Sequence, residues 1–289
     1  MTSGPTIGVA LGSGGARGLA HIPYIEAIDE MGLRPKIIAG TSIGALIGAG
    51  WASGMSGRDL REHAGRVSTL QEIAGRLWTS GMSNLRNIRE TGISVQVEAS
   101  HIVEAFLPEV FPLSFADLAV PLKVVATDYY RWTQVVFAAG PLRPALAASL
   151  AIPGLFRPVR LDGRTLIDGG ATNPLPVDQA RQGADVVIGI DVNGTPPETE
   201  TATEPSFVDV GFVATEIMTQ SIVRQTLLLH PPEVYVRVPV HDVRVLEFWR
   251  APEIIAWAEE DKDAFKRSVG LALEAALRRG SGVSAADVS

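Results

Sequence analysis

Cysteine is absent from all 289 residues, which excludes disulfides, thiolate catalysis and cysteine-ligated zinc and leaves the redox compartment open. Blocks of basic charge are missing too. Lys and Arg number 25 against 32 Asp and Glu, a net charge of −7, and that balance argues against nucleic acid or an anionic membrane surface as partner. Aromatic residues are few, at 6%. No run is apolar enough to span a bilayer: the best long segment, 206–229, contains Asp209, Glu216, Gln220, Arg224 and Gln225. The first residues lack the charged start and apolar core of a signal peptide. These absences lead to the expectation of a cytoplasmic protein, peripheral to a membrane at most. With 46% hydrophobic and 20% charged residues, and no internal repeat, the chain reads as one folded domain over 1–289. Its motifs lie within about 6–193, and the remainder, about 194–289, packs on them.

What is present is centred on residues 36–48. A β-branched run, Ile37-Ile38, stops at Gly40; Ser42 follows, then Gly44, then small and apolar residues at helical spacing. The pattern predicts a strand, a tight turn and a helix, with a serine at the apex. Glycine two positions to either side relieves the crowding of two backbones brought close by such a turn. The serine hydroxyl then sits at the carboxyl end of a strand, beside the positive end of a helix.

A second unit of this kind precedes it. The run from Thr6 to Leu11 suits a strand buried on both faces. Gly12-Ser-Gly-Gly-Ala-Arg-Gly18 follows, and then Leu19, Ile22, Ile25 and Ile28 at intervals of three. Pro23 falls early enough in that helix to be tolerated. The glycine loop places backbone N–H groups at a helix start, suited either to a pyrophosphate or to the oxyanion of a serine-catalysed reaction. A dinucleotide site would want glycine where Ser13 stands and an acid where the second strand ends at Ala39-Gly40-Thr41. A phosphate loop would want Gly-Lys-Ser/Thr. The oxyanion reading is preferred because adjacent parallel strands bring both loops to one sheet edge.

Residues 56–107 are expected to be mostly helical, with Trp51 and Trp78 as packing aromatics. Strands are expected at 121–127 and 133–138, and a helix at 141–152, ended by Pro153-Gly154. A hairpin is expected at 157–161 and 164–167, turning at Asp162-Gly163 and running into Asp168-Gly169-Gly170. Another strand is expected at 186–191, and an exposed, disordered loop at 195–206. A helix at 206–229, a strand at 234–238 and one closing helix at 251–279 complete the chain. Phe248, Trp249 and Trp257, close in sequence, are candidates for transient contact with a lipid surface.

A serine needs a base. The five histidines are His21, His63, His101, His230 and His241. A Ser–acid–His triad can be written with Ser42, Asp168 and His230 or His241, but only one β-α unit precedes the serine, too little chain for an α/β-hydrolase elbow. The remaining candidate is Asp168 acting directly on Ser42. Read as an exposed turn residue, it keeps a pKa of about 4 and is ionised at neutral pH.

Four segments carry a resemblance: Gly12 to His21, Gly40 to Gly44, Ala148 to Pro158 and Leu166 to Pro174. In that order the chain resembles the bacterial patatin-like phospholipases of the patatin and neuropathy-target-esterase-related family. The resemblance implies a three-layer α/β/α fold with a largely parallel sheet. It implies a serine acyl hydrolase of phospholipase A or lysophospholipase type, working without metal or other cofactor on lipid or other acyl esters. Ser42 would be the acylated nucleophile and Asp168 its base. Amides around Gly14, Gly15, Ala16 and Arg17 would hold the oxyanion, and Gly12, Gly18, Gly40, Gly44, Gly169 and Gly170 are the motif glycines. Ser13 departs from the family's glycine pattern at the loop entrance. Acyl transfer with the same pair, and a non-catalytic regulatory protein keeping the fold, are the competing readings.

Overall fold

Ile7, Val9 and Leu11 turn to one side of a strand and Ala10 to the other, and all are buried. That strand, β1 (Ile7–Leu11), lies inside the eight-stranded sheet of the computed structural model, which describes residues 4–67, 98–108, 110–194, 207–238, 240 and 243–280. Strand β1 is flanked in parallel by β2 (Pro35–Thr41) and β7 (Val186–Asp191). Outside these, β3 (Leu122–Asp128) pairs parallel with β2, and β8 (Val234–Arg237) parallel with β7. The antiparallel part comprises β4 (Thr133–Phe137), β5 (Val159–Leu161) and β6 (Arg164–Asp168).

The two faces of the sheet differ in depth. Ile38, Ile188 and Ile190 join Val9 and Leu11 in the larger core. It is covered by α1 (His21–Glu30), α2 (Ile43–Ala52), α8 (Ala251–Glu260) and α9 (Lys262–Gly280). The opposite face offers Ala10, Ala39 and Val187, so its cover sits close. There α6 (Val177–Ala180) approaches until a Cβ on Gly8 would lie 2.0 Å from the Ala180 carbonyl oxygen. Val223 of α7 (Phe207–Leu229) completes that layer. The result is three layers around a mostly parallel sheet, as the alternation of large and small apolar residues requires.

The hairpin turn is as expected: Asp162 and Gly163 both take positive φ, 51° and 71°. Of the stretch 56–107, expected to be mostly helical, α3 (57–67) and α4 (Ala99–Phe106) are seen, and 68–97 lies outside the described residues. Trp78 and the loop at 195–206 lie outside the described residues. Trp51 is buried, and its indole N–H donates to Asp29 Oδ1 at 3.3 Å. Helix 141–152 is shorter than expected, α5 (Leu142–Ser149).

The closing helix is two helices rather than one, broken at Asp261. The break lets Ile254 and Ile255 on one segment, and Phe265 and Val269 on the other, reach the same core beside α1, where Phe265 stacks edge-on to Tyr24 at 5.0 Å. Phe248, Trp249 and Trp257 do not form one exposed patch. Phe248 is buried against Phe106 at 4.8 Å, and Trp257 packs on the core beneath the Arg250 guanidinium at 5.7 Å, leaving Trp249 half exposed.

Candidate active site

Strand β2 ends at Thr41, helix α2 begins at Ile43, and Ser42 between them has φ 55° and ψ −125°. A non-glycine residue in this region is strained by about 1–3 kcal/mol and stays there only when its surroundings hold it. The flanking glycines make the turn sterically feasible. A Cβ on Gly40 would lie 2.5 Å from the Ala45 Cα, and one on Gly44 would lie 2.2 Å from the Leu11 carbonyl oxygen.

Sheet register brings a carboxylate to this serine. Strand β4 pairs along Val124–Asp128 and so occupies one edge of β3. On the other edge β2 pairs with residues 122–125 and β6 with residues 126–128. The two strands run in opposite directions and abut end to end there, with Thr41 opposite Val125 and Asp168 opposite Ala126. The residue after one strand and the last residue of the other are therefore forced together. Ser42 Oγ donates to Asp168 Oδ2 at 2.5 Å, and the Gly170 amide donates to Oδ1 at 2.7 Å. Gly169 must be glycine for this meeting, since a Cβ would lie 2.2 Å from the Val125 carbonyl oxygen.

Asp168 is not the exposed turn residue that its sequence context suggests. It is 6% exposed, and its pKa is raised to about 6, by burial first, against hydrogen bonds from Ser42 and Gly170 that pull it down. The carboxylate remains ionised at neutral pH and is a stronger base than an ordinary aspartate.

One residue at the site was given no role by its sequence. The Ser42 amide donates to Ser149 Oγ at 2.8 Å, and Ser149 Oγ donates to the Val125 carbonyl at 2.6 Å. The buried hydroxyl at the end of α5 thus continues the β2–β3 ladder where the backbone turns away. Its signal was a lone serine after an alanine- and leucine-rich helix, inside a segment already singled out.

The glycine loop lies against the same rim. A Cβ on Gly18 would lie 2.3 Å from a methyl of Ile43, the residue next to Ser42. Gly12 N–H donates to Ile190 and Ser13 N–H to Pro174. Gly14 is pressed on the Val192 carbonyl oxygen, 2.7 Å from where its Cβ would be, and Gly15 takes φ +58° against Val245. The Ala16 amide is spent on the Val245 carbonyl at 2.8 Å, which removes it from the expected oxyanion donors. Among the described hydrogen bonds, the Gly14 and Gly15 amides have no acceptor. Arg17 braces the loop from behind: Nε donates to the Gly14 carbonyl at 3.2 Å, and the guanidinium pairs with Glu216 at 2.6 Å. Ser13 is also employed. Its hydroxyl donates to Asn193 Oδ1 at 3.1 Å, and Asn193 and Tyr235 in turn donate to buried Asp191.

The histidines stand apart. His21 is wholly buried, and burial lowers its pKa to about 4, against the hydrogen bond to Gly12. It is therefore neutral, with Nε2–H donating to the Gly12 carbonyl at 2.9 Å. His63 is bonded to the Phe106 carbonyl, while His101 and His230 are exposed. Among the described hydrogen bonds none of these four meets Ser42 or Asp168; His241 lies outside the described residues.

The patatin-like phospholipase family model matches residues 9–181. An uncharacterized NTE family protein of Mycobacterium tuberculosis is 38% identical over 199 residues, covering 67% of this chain and 51% of the relative. Patatin-like phospholipase domain-containing protein 6 of Homo sapiens is 33% identical over 210 residues, covering 70% of this chain and 14% of the relative. Among solved structures, VipD from Legionella pneumophila aligns at TM-score 0.46 and 15% identity, over 91% of this chain and 67% of that one. ExoU of Pseudomonas aeruginosa, in its complex with SpcU, aligns at TM-score 0.48 and 15% identity, over 94% and 52%. The chain spans about half the length of the mycobacterial relative and a seventh of the human one. Among the described residues no helix is long and apolar enough to cross a membrane. Both the extent of the family match and the identity to the mycobacterial relative lead to one conclusion: the chain belongs to the patatin-like phospholipase family.

Proposed function

We propose that the protein hydrolyses carboxylic esters of fatty-acyl lipids, in the manner of a phospholipase A or lysophospholipase, through an acyl-enzyme on Ser42. The observation that carries this reading is the 2.5 Å hydrogen bond from Ser42 Oγ to a buried carboxylate. Asp168 takes the serine proton as Oγ attacks the ester carbonyl, and returns it to the departing alkoxide. It then takes a proton from the water that attacks the acyl-enzyme, so that free acid and free serine result. The oxyanion of each tetrahedral intermediate accepts from the amides of Gly14 and Gly15. Ile43 N–H, first in helix α2 and without an intrahelical acceptor, would join them.

A base of pKa about 6 gains strength over an ordinary carboxylate while staying mostly ionised at pH 7. The missing histidine is compensated by positioning: the serine is already bonded to its base, and its backbone is fixed through Ser149. Labelling with a fluorophosphonate tests the reading. The wild-type protein should label and turn over fatty-acyl esters, and Ser42→Ala should do neither. Folded wild-type protein that fails to label would refute acyl-enzyme chemistry; label without hydrolysis, but with acyl appearing on another acceptor, would assign transfer.

A further inference from the structure

Residues 129–132 join β3 to β4, and this tip carries three exposed rings, Tyr129 at 50%, Tyr130 at 77% and Trp132 at 86%. The fold does not ask for aromatics there. Trp132 has φ 56°, a left-handed position in a short hairpin loop where glycine or asparagine is the unstrained choice.

The turn is nevertheless firmly built. The buried carboxylate of Asp128 accepts from the amides of Tyr130 at 3.1 Å and Arg131 at 3.0 Å, and pairs with the Arg131 guanidinium at 2.9 Å. The Trp132 amide donates to the Asp128 carbonyl and the Tyr129 amide to Thr165, each at 2.9 Å. Its place in the sheet matters more. Asp168 pairs with Ala126, and Leu166 with Asp128. The tip, starting at Tyr129, therefore begins about 10 Å along the strand from the level of Asp168, beyond the rim to which β2 delivers Ser42.

We propose that this hairpin tip is the surface through which the protein meets a lipid layer, with Tyr129, Tyr130 and Trp132 entering the headgroup region and setting the Ser42–Asp168 rim against it. The inference rests on the lipid-ester reading above. Tryptophan and tyrosine favour that boundary because an apolar ring can be buried while its N–H or O–H stays wet. Arg131 is neutralised by Asp128, and the chain carries a net charge of −7. Attraction is therefore apolar rather than coulombic, and the fitting partner is a neutral, zwitterionic bilayer. Three rings give weak, reversible association, which suits an enzyme that must leave the surface after turnover.

The test pairs sedimentation with two substrates. Ser42→Ala protein should co-sediment with phosphatidylcholine vesicles equally at low and high salt. Adding Tyr130→Ser and Trp132→Gly should weaken that binding by about tenfold or more. Glycine at 132 suits the left-handed backbone, so the turn should survive. In an otherwise wild-type chain the same double variant should hydrolyse a soluble short-chain ester within about twofold of the parent, but vesicle phosphatidylcholine about tenfold more slowly. Unchanged vesicle binding by the variant overturns the proposal, as does binding that high salt abolishes. A Ser42→Ala protein that ignores vesicles also overturns it, leaving the tip to a protein partner. If the wild type cleaves neither ester, the acyl-hydrolase reading fails on its own, and sedimentation still decides the hairpin.

Discussion

At Asp168 the proposed catalytic role opposes the stability of the fold. Burial raises its pKa to about 6, so the folded state binds a proton that the unfolded chain, near pKa 4, has released. Wild-type protein therefore loses stability from this group as pH rises from about 4 to about 6. Asp168→Asn removes the buried charge and keeps the shape. At pH 7 it should unfold at higher urea, by about 3 kcal/mol, and the advantage should vanish toward pH 4. The same variant should lose about a thousandfold in kcat. Wild-type kcat/KM should rise with pH along a limb of apparent pKa about 6, read from rate profiles. Retained turnover in Asp168→Asn would transfer the base role to another group. Ser149→Ala should act differently. It strands the Ser42 amide and the Val125 carbonyl, at about 1–3 kcal/mol. Loosening the elbow should lower kcat about tenfold or more with little change in KM, because positioning of the proposed nucleophile and not substrate contact is lost.

Helices α1, α3, α8 and α9 are tied by charge rather than by apolar contact alone. Glu26 takes a two-pronged hydrogen bond from Arg61, at 2.6 and 2.5 Å, and another from Lys262 at 3.2 Å. Arg61 also pairs with Glu259, and Lys262 with Glu30, so one carboxylate on α1 holds α3 and α9 directly, and α8 joins them through Glu259. Burial pushes the Glu26 pKa up, but Arg61 and Lys262 outweigh it and hold the carboxyl below its usual range. Its stabilisation is thus present at neutral pH and lost on acidification. Glu26→Gln should cost about 2 kcal/mol in chemical unfolding, because Arg61 and Lys262 each lose one partly buried counter-charge while keeping Glu259 and Glu30. A cost below about 1 kcal/mol would mean that the network is screened like a surface pair. Soluble-ester activity should be nearly unchanged, since Glu26 bonds to Arg61 and Lys262 and not to the Ser42–Asp168 pair.

Across the whole molecule, acid acts through buried groups of opposite sign. His21, with its pKa lowered to about 4, stays neutral in the fold while the unfolded chain takes up a proton below about pH 6.5. Stability from this group is lost as pH falls through that window, and Glu26 adds to the loss. Asp168 works in the opposite direction over much of the same range. Between pH 6.5 and 4.5 the Asp168→Asn variant should therefore lose stability more steeply than wild type, as urea midpoints at several pH values would show. Parallel curves would mean that Asp168 has no raised pKa.

Sequence by itself determined whatever depends on neighbours along the chain. The strands follow from apolar alternation, the hairpin from Asp162-Gly163, and the elbow from glycines two residues either side of Ser42, whose Cβ atoms would collide with backbone. Only tertiary structure decided what depends on residues far apart in sequence. It set β2 and β6 end to end on one edge of β3, buried Asp168, inserted Ser149 beside the Ser42 amide and occupied the Ala16 amide with Val245. Desolvation and hydrogen-bond satisfaction are set by whatever the fold carries in from elsewhere, and an aspartate before two glycines reads the same in a wet turn and in a dry one.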